Sequence, residues 1–300
     1  MTGIHKRFGA VAANVDVNLS VRTGTVHGIV GENGAGKSTL MSVLYGFYAA
    51  DSGSIEVFGK LATIKNADDA IALGIGMVHQ HFMLVDSLTA LENVMLGAEP
   101  HWQLQRAEKL VRQKLDALML STGLHVQLDA LVVDLAVGDR QRLEILKALY
   151  RGAKVLVLDE PTAVLTPQET DQLFEVLKGL RAQGTTILLI THKLREVMNL
   201  CDQVTVMRAG RVVAEVPIAQ ASIESLAEAM VGRKVNMGRV DAGVKLVGGV
   251  VLEAQGLTAI DTLQVTRLHN FGLCQAFDAG LRNRHFSHHT ASAHHGNLVA

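Results

Sequence analysis

The chain has few cysteines, almost no net charge and no long apolar run, and each absence excludes a class of protein. Two cysteines in 300 residues, Cys201 and Cys274, are too few for a disulfide scaffold and suit a reducing cytosol. Its 28 Lys and Arg against 29 Asp and Glu leave a formal net charge of −1, so there is no basic field to hold nucleic acid. No stretch approaches the roughly 18 apolar residues of a membrane span. The longest candidates, such as Thr186–Ile190, have the length of a buried strand. The first residues, MTGIHKRFGA, carry no apolar signal-peptide core. What is present is core-forming material, with 48% apolar and 19% charged residues and a mean hydropathy of +0.24. That balance excludes a disordered chain and allows one large domain or two small ones. It predicts a cytoplasmic globular protein able to lie on a membrane without entering it.

The most informative segment is GENGAGKST, which fits G-x-x-x-x-G-K-[ST]. It comprises Gly31, Glu32, Asn33, Gly34, Ala35, Gly36, Lys37, Ser38 and Thr39. An apolar run, Val26–Val30, precedes it and a helical pattern, Leu40–Leu44, follows. Strand, glycine loop and helix form the context of a phosphate-binding loop. Glycines let successive N–H groups turn inward around phosphate oxygens, and the helix N-terminus adds partial positive charge. Lys37 is placed to reach the β- and γ-phosphates, and the Ser38 hydroxyl to ligate magnesium.

Strand-like runs alternate with helical patterns along most of the chain. Strands are predicted at Ile55–Phe58, Gly76–His79, Val155–Leu158, Thr186–Ile190, Val204–Met207 and Val212–Val216, the last two joined by a turn at Gly210. Helices are predicted at Leu104–Leu120, at Arg140–Tyr150 with Leu143, Leu146 and Leu149 on one face, at Pro167–Ala182, and from Ser222 to Met230. Such alternation means an α/β domain with a mainly parallel sheet. The helical stretch between Val78 and Val155 reads as an inserted lobe. Candidate site residues fall just past the strands. Asp159 is a magnesium-holding acid, and Glu160 is placed to polarise an attacking water. His192 and Gln80 sit on the same rim, and Phe8 is able to stack on a base. Taken singly, each also has a plain structural reading: solvated acids ending a strand, a satisfied histidine, a loop amide, a core phenylalanine.

Together, Gly31–Thr39, Gln80, Leu135–Asp139, Asp159-Glu160 and His192 resemble the nucleotide-binding subunit of an ABC transporter, in order and spacing from about Gly3 to Arg233. The resemblance implies a P-loop fold with a RecA-like core, an N-terminal antiparallel β part and an inserted helical subdomain. It implies ATP and magnesium as ligands. Phe8 takes the place of the adenine-stacking aromatic, Gly31–Thr39 is the Walker A loop, and Asp159 with Glu160 completes Walker B. Gln80 is the Q-loop glutamine that senses the γ-phosphate and magnesium, and His192 the switch histidine. Leu135, Ala136, Val137, Gly138 and Asp139 form the signature loop, used across a dimer interface. The wording VHQHFMLVDSLTALENVMLG, EILKALYRGA, DEPTAVLTPQE and THKLREVM is similar to ATPases of simple-sugar and nucleoside importers. That family implies membrane-spanning permease subunits, a second ATPase domain and, indirectly, an extracytoplasmic solute-binding protein as partners. It implies no nucleic acid, and a place on the cytoplasmic face of the plasma membrane. His81–Val85 is the expected docking surface for the permease, its plain reading being core. A soluble non-transport ATPase and a transport-incompetent fragment are the competing readings.

The chain departs from the family's pattern in three places. Ala136 stands where a serine normally bonds the γ-phosphate held by the opposite domain, which predicts one weak composite site. Asp139 and Arg140 replace the usual residues after the signature glycine. The family's apolar strand ahead of Gly3-Ile4 is cut short, which predicts an unpaired sheet edge. Residues 1–235 are expected to form the ATPase domain. Residues 236–270 are expected to form a linker and the start of a second domain, with Val250–Thr258 as its opening strand. Residues 271–300 read as a disordered or out-of-frame tail. Its histidines, His285, His288, His289, His294 and His295, lack the clustered partners of a settled zinc site.

Overall fold

In the computed structural model, residues 1–96 and 104–233 are described. Continuous apolar runs set the central sheet. Strands β3 (Val26–Val30), β6 (Ile75–Val78), β7 (Val155–Asp159) and β8 (Thr186–Thr191) are buried almost throughout, as strands covered on both faces must be. With β9 (Gln203–Arg208) and β10 (Arg211–Pro217) they form a six-stranded sheet in the order β10-β9-β3-β8-β7-β6. Every pairing is parallel except the β9–β10 hairpin. That hairpin turns at Gly210, whose φ of +76° suits glycine, and a Cβ there would lie 2.8 Å from the Ala13 carbonyl oxygen.

A second, antiparallel sheet holds β1 (Thr2–Phe8), β2 (Val11–Val17), β4 (Ser52–Val57) and β5 (Lys60–Ala62) in the order β2-β1-β4-β5. This corrects the unpaired edge expected at the first strand: β1 is bonded to β2 on one side and β4 on the other.

The pleat sends alternate residues to opposite faces. Leu156 and Leu158 join one apolar cluster, shared with helices α6 (Pro167–Ala182), α7 (Leu194–Leu200) and α8 (Ile223–Val231). Val157 joins the other, packed against α1 (Lys37–Leu44) and the antiparallel sheet. A third cluster unites α3 (Ala90–Met95), α4 (Leu104–Thr122) and one face of α5 (Val137–Tyr150); this is the inserted lobe. The face predicted for α5 divides. Leu143 and Leu146 enter the lobe, whereas Ile145, Ala148 and Leu149 pack on the central sheet's cluster. The helix thus joins the lobe to the core.

Short helices escape the sequence reading because one or two turns carry little periodicity. They are marked by their caps instead. Asn66 caps α2 (Ala67–Ala72), and Thr89 and Glu92 form a capping box on α3; α8, predicted from Ser222, carries one from Ser222 and Ser225. No helix among the described residues is long and apolar enough to cross a membrane. The predicted second-domain strand, the tail and its histidines lie outside the described residues.

His27 on β3 is fully buried, with Nε2 2.8 Å from the Thr205 hydroxyl oxygen and no partner for Nδ1. Burial lowers its pKa from 6.5 to about 4. The unfolded chain therefore takes up the proton first. The stability contribution is complete above the unfolded value of 6.5 and is lost as pH falls toward 4. A loss of about 3 kcal/mol across that window is expected from urea denaturation at neutral and acidic pH, and a His27→Gln variant removes most of it.

Candidate functional site

The parallel register brings the site together. Val30 pairs with Thr191 and Asp159 with Ile190, so β3, β7 and β8 end at one rim. The residues that follow, Gly31, Glu160 and His192, emerge side by side. Gly36 is the N-cap of α1 at φ +94°, and a Cβ there would meet the Ala13 carbonyl oxygen at 2.3 Å. No side chain caps α1 and no acid occupies its first turn, so its leading N–H groups remain available to an anion. Asn14, fully buried, donates from Nδ2 to the Gly36 carbonyl at 3.1 Å and fixes the loop from behind.

Charged groups converge on this loop. Lys37 is buried, and its Nζ donates to the carbonyls of Gly31 at 2.8 Å and Glu32 at 3.0 Å. Burial lowers its pKa, opposed by the charges of Glu160 and Asp159. The Ser38 hydroxyl donates to Asp159 Oδ1 at 3.4 Å. Burial raises the Asp159 pKa. The Ser38 bond and Lys37 oppose this, and Glu160 adds to it. Glu160 is 9% exposed and adopts φ +49°, a left-handed backbone that costs a non-glycine residue free energy. One carboxylate oxygen lies 2.8 Å from His192 Nδ1, and the other is buried without a partner. His192 itself is half exposed.

A cleft of about 610 Å³ opens over these groups, lined by Phe8, residues 33–39, Gln80, Glu160, His192 and the Ala209-Gly210 turn, with residues 11–13 as its floor. Phe8 is 42% exposed and meets Tyr48 edge-on at 5.0 Å, which removes its reading as a core residue. Gln80 is exposed just past β6. The structure therefore assembles Phe8, the glycine loop, Gln80, Glu160 and His192 around one cleft, with Asp159 reaching it through Ser38.

Leu135–Asp139 does not line this cleft. Only Leu135 and Ala136 are loop. Val137, Gly138 and Asp139 are already the first turn of α5, three residues before the start predicted at Arg140. Gly138 is buried where a Cβ would lie 2.7 Å from Glu169 Oε1. Asp139 accepts from Arg142 at 2.7 Å, and an acid in a first turn favours the helix dipole. Arg140 bonds the carbonyls of Leu135 and Val133 and pairs with Asp86 at 3.6 Å. Sequence reasoning missed Asn14, Tyr48, Thr162 and Glu196. None sits in a motif that states its chemistry, and only the fold sets Asn14 on the Gly36 carbonyl, Tyr48 against Phe8, and Thr162 against Glu196.

A strand-loop-helix phosphate cradle, a strand-end acid pair and an inserted helical lobe define a P-loop nucleotide-binding domain. A family model described as ABC transporter matches residues 15–163. Among solved structures, the ADP conformation of MJ1267, an ATP-binding cassette of an ABC transporter, is 30% identical with a TM-score of 0.67, over 77% of this chain and 97% of that one. The cbiO1 protein from Clostridium perfringens, part of the ABC transporter complex cbiONQ, is 30% identical with a TM-score of 0.64, over 80% of this chain and 94% of that one. The chain belongs to the ABC transporter family, as one of its ATP-binding cassettes. The nucleoside import ATP-binding protein NupA of Lactococcus lactis subsp. cremoris is 48% identical over 79% of this chain and 47% of its own length. The guanosine import ATP-binding protein NupO of Bacillus subtilis is 43% identical, over 91% and 53% respectively. The glucose import ATP-binding protein TsgD13 of Haloferax volcanii is 42% identical, over 91% and 54%. The chain spans about half the length of these curated relatives.

Ala136 occupies the N-cap of α5 and supplies no side-chain bond to it. An Ala136→Ser substitution at this exposed position should stabilise the fold by about 1 kcal/mol, read as a higher urea midpoint at unchanged slope.

Proposed function

We propose that the chain binds and hydrolyses ATP as the ATP-binding subunit of an importer for nucleosides or simple sugars. The observation that carries this reading is the meeting of Lys37, Ser38, Asp159, Glu160 and His192 at one rim beside the glycine loop. The solute class rests on the names of the relatives, two of them nucleoside or guanosine importers and one a glucose importer.

The glycine loop and the N-terminus of α1 hold the phosphates, with Lys37 on the β- and γ-oxygens and Phe8 against the base. The donor set suits magnesium, since the Ser38 hydroxyl and the Asp159 carboxylate, both hard oxygen ligands, already approach one another at 3.4 Å. Ser38, Asp159 and Gln80 would hold the ion, which would supply positive charge against the phosphates. Glu160 orients and polarises the attacking water. His192, held by Glu160, carries a ring edge into the cleft where charge grows on the γ-phosphoryl group.

Residues 1–235 act as the nucleotide-binding domain, and residues 236–270 supply a linker and the start of a second one. Leu135–Asp139 does not line its own cleft, which supports its use on nucleotide held by a partner ATPase domain. Lacking the serine hydroxyl at Ala136, that second composite site is the weaker of the two. Closure of the pair drives a membrane-spanning permease on the cytoplasmic face. Within His81–Val85 the Met83 side chain is 61% and Val85 40% exposed, which supports this stretch as the permease contact over its reading as core.

Isothermal calorimetry of the purified chain with ATP and magnesium tests the reading. Binding in the micromolar to millimolar range is expected, and none at millimolar nucleotide overturns it. Glu160→Gln should retain nucleotide affinity while turnover drops by about 100-fold or more. Lys37→Ala should lose affinity itself. Co-expressed with its permease, the chain should pellet with membranes, and remaining in the supernatant would favour a soluble ATPase.

A further inference from the structure

Behind the Glu160–His192 pair lies a closed ring of polar bonds that the reading above does not use. Its centre is Glu196, in the first turn of α7 and 8% exposed. Its Oε1 accepts from the Thr162 hydroxyl at 2.6 Å and lies 3.2 Å from the Lys193 ammonium. Its Oε2 accepts from the Thr191 hydroxyl at 3.4 Å. Thr162 and Thr191 are fully buried. Lys193 closes the ring. Its ammonium donates to the Thr162 carbonyl at 2.9 Å and hydroxyl at 3.1 Å, and its N–H donates to the Thr191 hydroxyl at 3.0 Å.

The placement of this ring gives it a task. Thr162 is two residues past Glu160, and Thr191 and Lys193 flank His192. The ladder between β7 and β8 ends at Asp159 and Ile190, and its last backbone bond runs from Glu160 N–H to the Ile190 carbonyl at 2.9 Å. Beyond that point β7 and β8 no longer pair, and only Thr191 remains laddered, to Val30 of β3. The Glu160 backbone sits at φ +49°, a conformation that persists only where the surroundings over-determine it. The Glu160–His192 bond ties the two turns in front, and Glu196 ties them behind.

We propose that Glu196 is a positioning residue: its buried carboxylate, bonded to Thr162 and Thr191, locks the turn bearing Glu160 to the turn bearing His192. Glu196 does not line the cleft over the glycine loop. Its loss therefore misaligns the water-directing groups without loosening the cradle. This inference rests on the reading of Glu160 and His192 as the hydrolytic pair.

Two readouts on the full-length chain test it. The first is amide hydrogen exchange, which needs no turnover. Glu196→Ala should speed exchange in peptides spanning residues 159–164 and 190–194 while leaving those of the glycine loop unchanged. The second is steady-state ATP turnover beside nucleotide affinity. Glu196→Ala should lower kcat by about tenfold or more with affinity held within about twofold. Glu196→Gln keeps an oxygen for the Thr162 hydroxyl and should recover most of that rate. Unchanged exchange in both turns overturns the proposal, as does a loss of affinity in step with kcat. A Gln variant no better than the Ala variant also overturns it. A wild-type chain that binds ATP without hydrolysing it counts against the proposed activity, and the exchange experiment still decides the role of Glu196.

Discussion

Parallel pairing of β3, β8 and β7 is the constraint from which the site follows. In a parallel ladder all C-terminal ends lie on one side, so three segments spread along the sequence between Val26 and Thr191 deliver their next residues to a common rim. Register matters because side chains alternate with period two. A one-residue slip of β7 would exchange Leu156 and Leu158 with Val157 between the two apolar clusters and move Asp159 off the rim. The burial that makes the strands read as continuous apolar runs therefore also fixes the chemistry at their ends.

That rim concentrates groups that burial disfavours. Lys37, Asp159 and Glu160 are each below 10% exposed, and removing a lone charge from water to such a place costs several kcal/mol. They are tolerable because they compensate one another. The ammonium lowers the cost of the Asp159 carboxylate, and the two carboxylates oppose the downward pull of burial on Lys37. The balance is incomplete: one Glu160 oxygen has no partner and its backbone is left-handed. Strain and an unsatisfied acceptor at a rim residue are what a site arranged for chemistry, and not for stability, retains.

Helix α5 links this rim to the inserted lobe. One stripe packs into the lobe and the other onto the central sheet, while at the N-terminus Ala136 and Val137 are exposed and Gly138 is buried. Arg140 bonds that N-terminal segment to Val133 and Asp86, so the signature segment and the stretch after Gln80 are held in one piece. The departures from the family pattern at Asp139 and Arg140 thus have local structural partners, Arg142 and Asp86, whereas Ala136 leaves its helix without a side-chain cap.

Long buried strands, long helices and the glycine loop were legible because their signals are dense and local: period, length, and the demand for glycine at Gly36. Sequence by itself determined the strand-loop-helix at Gly31–Thr39, the runs of β7 and β8, the extent of α6, and the choice of Asp159, Glu160, His192 and Gln80 as candidates at the strand ends. Short α2, α3 and α7, the second pairing partner of β1 and the split face of α5 were not legible, since each depends on contacts distant in the chain. Only the tertiary structure decided that His192 lies 2.8 Å from Glu160, that Phe8 is a cleft residue, and that Glu196 bonds Thr162 and Thr191. The reason is physical. Propensity and pattern act over a few residues, whereas the distance between two strand ends is set by the ladder that pairs them.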